Sequence, residues 1–153
     1  MKSPGRSFLL LLSLVSLLAG CAALNDTIAG DPWLAYPGPS LPREQVALIK
    51  TSGIRDYFSE AYIFRINDIA VEKIGGNIEA LPGTHTLEVS VTQRLGGPAS
   101  LLGTLSEKRA RGNITLDAEA GHVYIVDGRV VDGQAALWIE DENTRQVVAG
   151  RKP

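Results

Sequence analysis

The 153-residue chain has one cysteine, two histidines and one methionine, and aromatic residues make up only 6% of it. A single cysteine cannot close an intramolecular disulfide. One thiol plus His85 and His122 also falls short of an evident zinc-ligand set, which takes three or four His, Cys or carboxylate ligands. Neither sign of charge dominates: 15 Lys and Arg stand against 17 Asp and Glu, for a net charge of -2. The densest basic stretch is Lys108, Arg109 and Arg111. It reads as a solvated loop, with a phosphate or anionic-lipid contact as the alternative. Nucleic acid is not an expected partner, because it calls for a concentrated basic surface. No G-x-S-x-G elbow is present, and no phosphate-loop pattern follows Gly75-Gly76-Asn77. Residues 140–143 (Glu-Asp-Glu-Asn) lack the alternating oxygens and glycine of a calcium loop. They read as a solvated hairpin tip.

The amino terminus carries the most specific signal. Lys2 and Arg6 form a short basic segment, and Phe8 to Leu18 is apolar apart from Ser13 and Ser16. That run suits the apolar part of an export signal and is too short to cross a bilayer as a helix. Leu18-Ala19-Gly20-Cys21 follows. This tetrapeptide is similar to the lipobox of bacterial lipoproteins, with a branched apolar residue, two small residues and a cysteine. The resemblance implies a lipid, palmitate-type chains included, on the Cys21 sulfur and cleavage after Gly20. Each buried methylene contributes about 0.8 kcal/mol, so two or more chains anchor stably. An ordinary signal peptide cut near Ala19-Gly20 is the alternative. Ala22 in place of aspartate implies the outer membrane, facing the periplasm, if the cell has two membranes.

Three segments are expected: a signal over 1–20, a lipidated start and proline-rich tether over 21–43, and a domain over 44–153. Pro32, Pro37, Pro39 and Pro42 favour an extended spacer. Trp33, Leu34 and Tyr36 within it are expected to pack onto the domain. Beyond residue 44 the pattern is that of strands. Ile114, Leu116, Ala118 and Ala120 alternate with Asn113, Thr115, Asp117 and Glu119. Leu87, Val89 and Val91 form a second such set, and Tyr62, Phe64 and Ile66 a third. Residues 123–126 and 135–139 are uniformly apolar and expected to lie centrally, with Trp138 in the core. Leu81-Pro82-Gly83, Asp127-Gly128 and Asp132-Gly133 read as turns. Short helices are conceivable over 54–61 and 100–109. The composition, 44% hydrophobic, supports one all-β domain, a small antiparallel β-sandwich of about seven strands.

Residues 80–89, Ala-Leu-Pro-Gly-Thr-His-Thr-Leu-Glu-Val, resemble the turn-and-strand signature of PEGA-like modules, small β-sandwiches of bacterial envelope proteins. Upstream, Phe64-Arg65-Ile66-Asn67-Asp68-Ile69 matches that family's preceding strand loosely. Residues 117–124 are similar to a segment of uncharacterised envelope lipoproteins. These motifs speak to fold and not to activity.

The expected function is a non-enzymatic binding or structural module on a lipid anchor, with no cofactor, contacting an envelope protein or a glycan. One alternative is an accessory enzyme on envelope polymers, in which Asp117, Glu119 or Glu140 would converge as acid and base. Another is a small-ligand or metal carrier using His85 and His122, although imidazoles at strand starts more often bond to backbone.

Overall fold

In the computed structural model, which describes residues 31–52, 59–72, 76–95 and 106–153, ten strands form two sheets facing each other across one apolar core. Numbered in chain order, the six-stranded sheet runs β1 (Trp33–Leu34), β5 (Ile78–Ala80), β2 (Ala47–Thr51), β8 (Val123–Val131), β9 (Gln134–Asp141), β10 (Val147–Gly150). The four-stranded sheet runs β4 (Ile69–Ala70), β3 (Ser59–Ile66), β6 (Gly83–Leu95), β7 (Ser106–Ala118). The fold is all-β. Only the smaller sheet is antiparallel throughout, because β2 runs parallel to β8 and β1 parallel to β5. Hairpin neighbours are forced antiparallel by their short turns. Strands β2 and β8 are separated in sequence by the whole second sheet and carry no such constraint.

Alternation builds the core. Leu87, Val89 and Val91 of β6 and Ile114, Leu116 and Ala118 of β7 point inward, against Ile49, Tyr124, Val126, Leu137 and Ile139 of the larger sheet. Each such aliphatic side chain contributes about 1.5–3 kcal/mol by leaving water. In the larger sheet Leu48, Val123, Ile125 and Trp138 occupy the alternate positions and are buried as well. Burial on both faces explains the uniformly apolar runs.

Two turns are set by residues that accept positive φ. Asn67 and Asp68 (φ 49° and 66°) join β3 to β4, and Asp132 and Gly133 (φ 50° and 80°) join β8 to β9. Positive φ at both central residues is the mirror-image turn that matches strand twist. Asp127-Gly128, expected as a turn, instead lies inside β8. Gly128 is there because the sheets approach closely. A Cβ on it would stand 2.7 Å from both Leu137 Cδ2 and Val91 Cγ2, and its carbonyl accepts a hydrogen bond from Ser59 Oγ of the opposite sheet at 2.8 Å. A strand glycine marking close approach is the general alternative to a turn.

The expected tether also needs correction. Residues 32–153 form one compact unit, so the boundary falls near Pro32 and not at residue 44. Trp33 N donates to Asn77 O and Ala35 N to Glu79 O, both at 2.8 Å, and both side chains pack on the core. Proline removes only its own N–H, which leaves these amides free to pair. The side chain of Glu79, 4% exposed, then gathers the following loop. It accepts from Tyr36 Oη, from Ser40 Oγ at 2.7 Å and from Leu41 N at 3.0 Å. Of the two conceivable helices, residues 59–61 open β3 and 106–109 open β7. The remaining positions, 54–58 and 100–105, lie outside the described residues.

Candidate functional site

The outer face of the four-stranded sheet carries a groove of about 680 Å³ lined by Tyr62, Phe64, Ser90, Thr92, Arg109 and Arg111, with Ala110 at its edge. Strand register builds it. Tyr62 stands opposite Ser90 and Ser90 opposite Arg111. One row further, Glu60 stands opposite Thr92 and Thr92 opposite Arg109. Each row is therefore large, small, large. Two hydroxyl residues on the central strand form a floor between an aromatic wall on β3 and an arginine wall on β7.

A bulge separates the aromatic wall from the core residue that follows it. The pairing of β3 with β6 shifts between Ile63 and Arg65, so Phe64 is the extra residue. Without it, strict alternation would follow Ala61 and Ile63 inward with Arg65. With it, Ile66 is the inward residue and is fully buried. Bulges commonly re-aim a side chain in this way. Tyr62 and Phe64, expected to share a face with Ile66, thus belong to the opposite, outer face.

Electrostatics distinguish the two walls. The Arg111 guanidinium lies over the Phe64 ring, 4.8 Å from its centroid, a favourable contact worth about 0.5–1 kcal/mol at an exposed site. Arg109 donates through Nε and Nη2 to Glu107 Oε1, at 3.1 and 3.0 Å. Tyr62 Oη donates to Glu60, whose carboxylate also lies 3.9 Å from Arg94 Nη2. That hydrogen bond, with partial burial, holds the Tyr62 phenol above its ordinary pKa. The basic stretch at 108–111 is consequently strand and not loop: Arg109 and Arg111 share the outer face of β7, two positions apart.

The other candidate residues are dispersed. His85 bonds to Leu81 O at 2.7 Å and to Asn67 at 2.8 Å, the backbone-bonded role expected of it. His122 does not follow that expectation. Its Nδ1 meets Asp141 Oδ2 at 2.5 Å, and its Nε2 lies 3.6 Å from Glu119. Of the three carboxylates considered as acid and base, Asp117 is exposed and accepts from Thr84 Oγ1. Glu119 is exposed beside His122. Glu140 is buried in the larger sheet, accepting from Trp138 Nε1 at 3.2 Å and Lys152 Nζ at 2.8 Å. They are held by different side chains on different elements. Glu140 and Asp141 also correct the expected solvated tip, since both are buried. Among the described residues, no group of three or more His, Cys, Asp or Glu could hold a metal ion, and no helix is long and apolar enough to cross a membrane. Leu18, Ala19, Gly20 and Cys21 lie outside the described residues.

Comparison with known proteins adds one partial likeness. No family model matches the chain, and no solved structure matches it. The chain is similar to the phosphoglucosamine mutase of Methylobacterium radiotolerans, 32% identical over 124 residues. The match covers 74% of this chain and 27% of the mutase, so the chain spans little more than a quarter of that relative's length.

Proposed function

We propose that the chain is a bacterial envelope lipoprotein. It is anchored through lipid on Cys21, faces the periplasm from the outer membrane where two membranes exist, and acts as a non-enzymatic binding module. The anchor rests on the basic segment, the short apolar run and the lone cysteine after Ala19-Gly20. The binding role rests on one observation, the groove between Tyr62 and Phe64 on one side and Arg109 and Arg111 on the other. Aromatic faces, cations and hydroxyls converge there on an open surface, the mixture of a largely apolar site with a few orienting polar groups.

The test is a photo-crosslinking side chain placed at Ser90, on the groove floor, in cells carrying the full chain. An envelope component captured there, and not from the same probe at Asp132 in the β8–β9 turn, is the expected result. With Cys21→Ser, capture should fall because the domain is no longer held beside its target. Equal labelling from Ser90 and Asp132 would contradict a role for the groove.

A further inference from the structure

We propose that the groove binds a saccharide carrying a single carboxylate, with the acid group on Arg111 and the sugar ring against the aromatic wall. This deepens the binding reading above and rests on it.

Three features of the groove select this ligand. The first is shape. Neighbouring strands lie about 4.8 Å apart, so the side chains of β3 and β7 flank the β6 floor roughly 9–10 Å apart. Serine and threonine keep the floor low over two successive rows, and Arg111 reaches across one end of it to the Phe64 ring. A flat ring with polar edges fits such a trough. The second is the floor itself. Ser90 and Thr92 offer hydroxyls that both donate and accept, which suits a polyol and disfavours an acyl chain. The third is charge. Arg65, Arg94, Arg109 and Arg111 surround the groove together with Glu60, Glu88 and Glu107. Arg94 faces Glu60, Arg65 faces Glu88 and Arg109 holds Glu107, which leaves the charge of Arg111 in excess among the described residues. Arg111 rests on the Phe64 ring, and its planar guanidinium can take a carboxylate through two parallel hydrogen bonds. One excess charge matches a monoanion. It falls short of what a nucleic-acid backbone requires, and glutamates on both walls disfavour an anionic lipid surface.

The experiment is calorimetric titration of the full chain in detergent micelles with two disaccharides. One is N-acetylglucosaminyl-N-acetylmuramic acid, whose lactyl group carries a carboxylate. The other is N,N′-diacetylchitobiose, which lacks that group and is neutral. The acidic sugar should bind at least about tenfold more tightly. Arg111→Ala should abolish this preference, and Phe64→Ala should weaken binding of both sugars. Thermal midpoints close to wild type verify that the variants fold, since both side chains lie on the outer face. Equal affinity for the two sugars, or a preference that survives Arg111→Ala, would overturn the proposal. So would binding to phosphatidylglycerol vesicles with no response to either sugar. If neither sugar binds while Ser90 crosslinks persist in cells, the ligand class is wrong and the binding module stands. If the crosslinks are absent too, both fail.

Discussion

His122 Nδ1 lies 2.5 Å from Asp141 Oδ2, which ties the turn before β8 to the end of β9. Asp141 also accepts from the backbone amides of Asn143 and Thr144, at 2.9 and 2.8 Å, and so organises the turn into β10. The hydrogen bond to Asp141 raises the His122 pKa against a smaller opposing effect of desolvation. Burial by itself would raise Asp141, but its bonds from His122, Thr144 and Asn143 outweigh that and lower it.

A pH dependence of stability follows. Protonated His122 favours the folded state, so its contribution is complete below the ordinary value of 6.5 and is lost as pH rises through the raised folded value. The Asp141 contribution is present above 3.8 and is lost as pH falls through its lowered value. Urea midpoints measured across neutral pH should therefore decline as pH rises, and His122→Gln should flatten that decline. A wild-type profile already flat through neutrality would refute the linkage.

Gly128→Ala should destabilise the domain by about 1–3 kcal/mol, the usual cost of overpacking a close contact. Val91 Cγ2 and Leu137 Cδ2 would each stand 2.7 Å from the new methyl, with Ala136 O at 3.1 Å. Both side chains are buried, from opposite sheets, and have little room to yield. Denaturant unfolding measures this directly. A loss below a few tenths of a kcal/mol would mean that the sheets separate there at little cost.

Tyr36→Phe should remove one of the three donors to buried Glu79, at a cost of about 1–3 kcal/mol. Burial pushes the Glu79 pKa up, but the Tyr36, Ser40 and Leu41 bonds overcome this and leave it below its ordinary 4.5. Its contribution is therefore present above that value and lost as pH falls through the lowered one. In hydrogen exchange, the Leu41 amide should lose protection in the variant while the β8 amides keep theirs. Unchanged protection at Leu41 would show that the loop is held without the Tyr36 bond.

The parts of this structure that could be read from sequence are those set by local pattern. Leu87, Val89 and Val91 alternate without interruption and lie in the core as that pattern demands. The Asp132-Gly133 turn follows from backbone preference alone. Features set by tertiary approach were not legible. Gly128 carries the same dipeptide signal as Gly133, yet its reason is a neighbouring sheet. The groove was hidden by the extra residue Phe64, which breaks period two and makes Tyr62 and Ile66 look like one face. The available signal was that Ala61 and Ile63 form an equally good inward pair, leaving two aromatics outside. Arg109 and Arg111 at an interval of two were likewise a strand signal, hidden because the basic stretch with Lys108 reads as a solvated loop.

Mass spectrometry of the amino terminus, on protein extracted from the membrane fraction of a bacterium expressing the full chain, tests the anchored envelope assignment most directly. The expected terminal residue is Cys21, with its mass increased by a thioether-linked diacylglyceryl group, and Cys21→Ser should leave no lipidated product. An unmodified Cys21, or a chain that begins elsewhere and carries no lipid, would contradict the anchor.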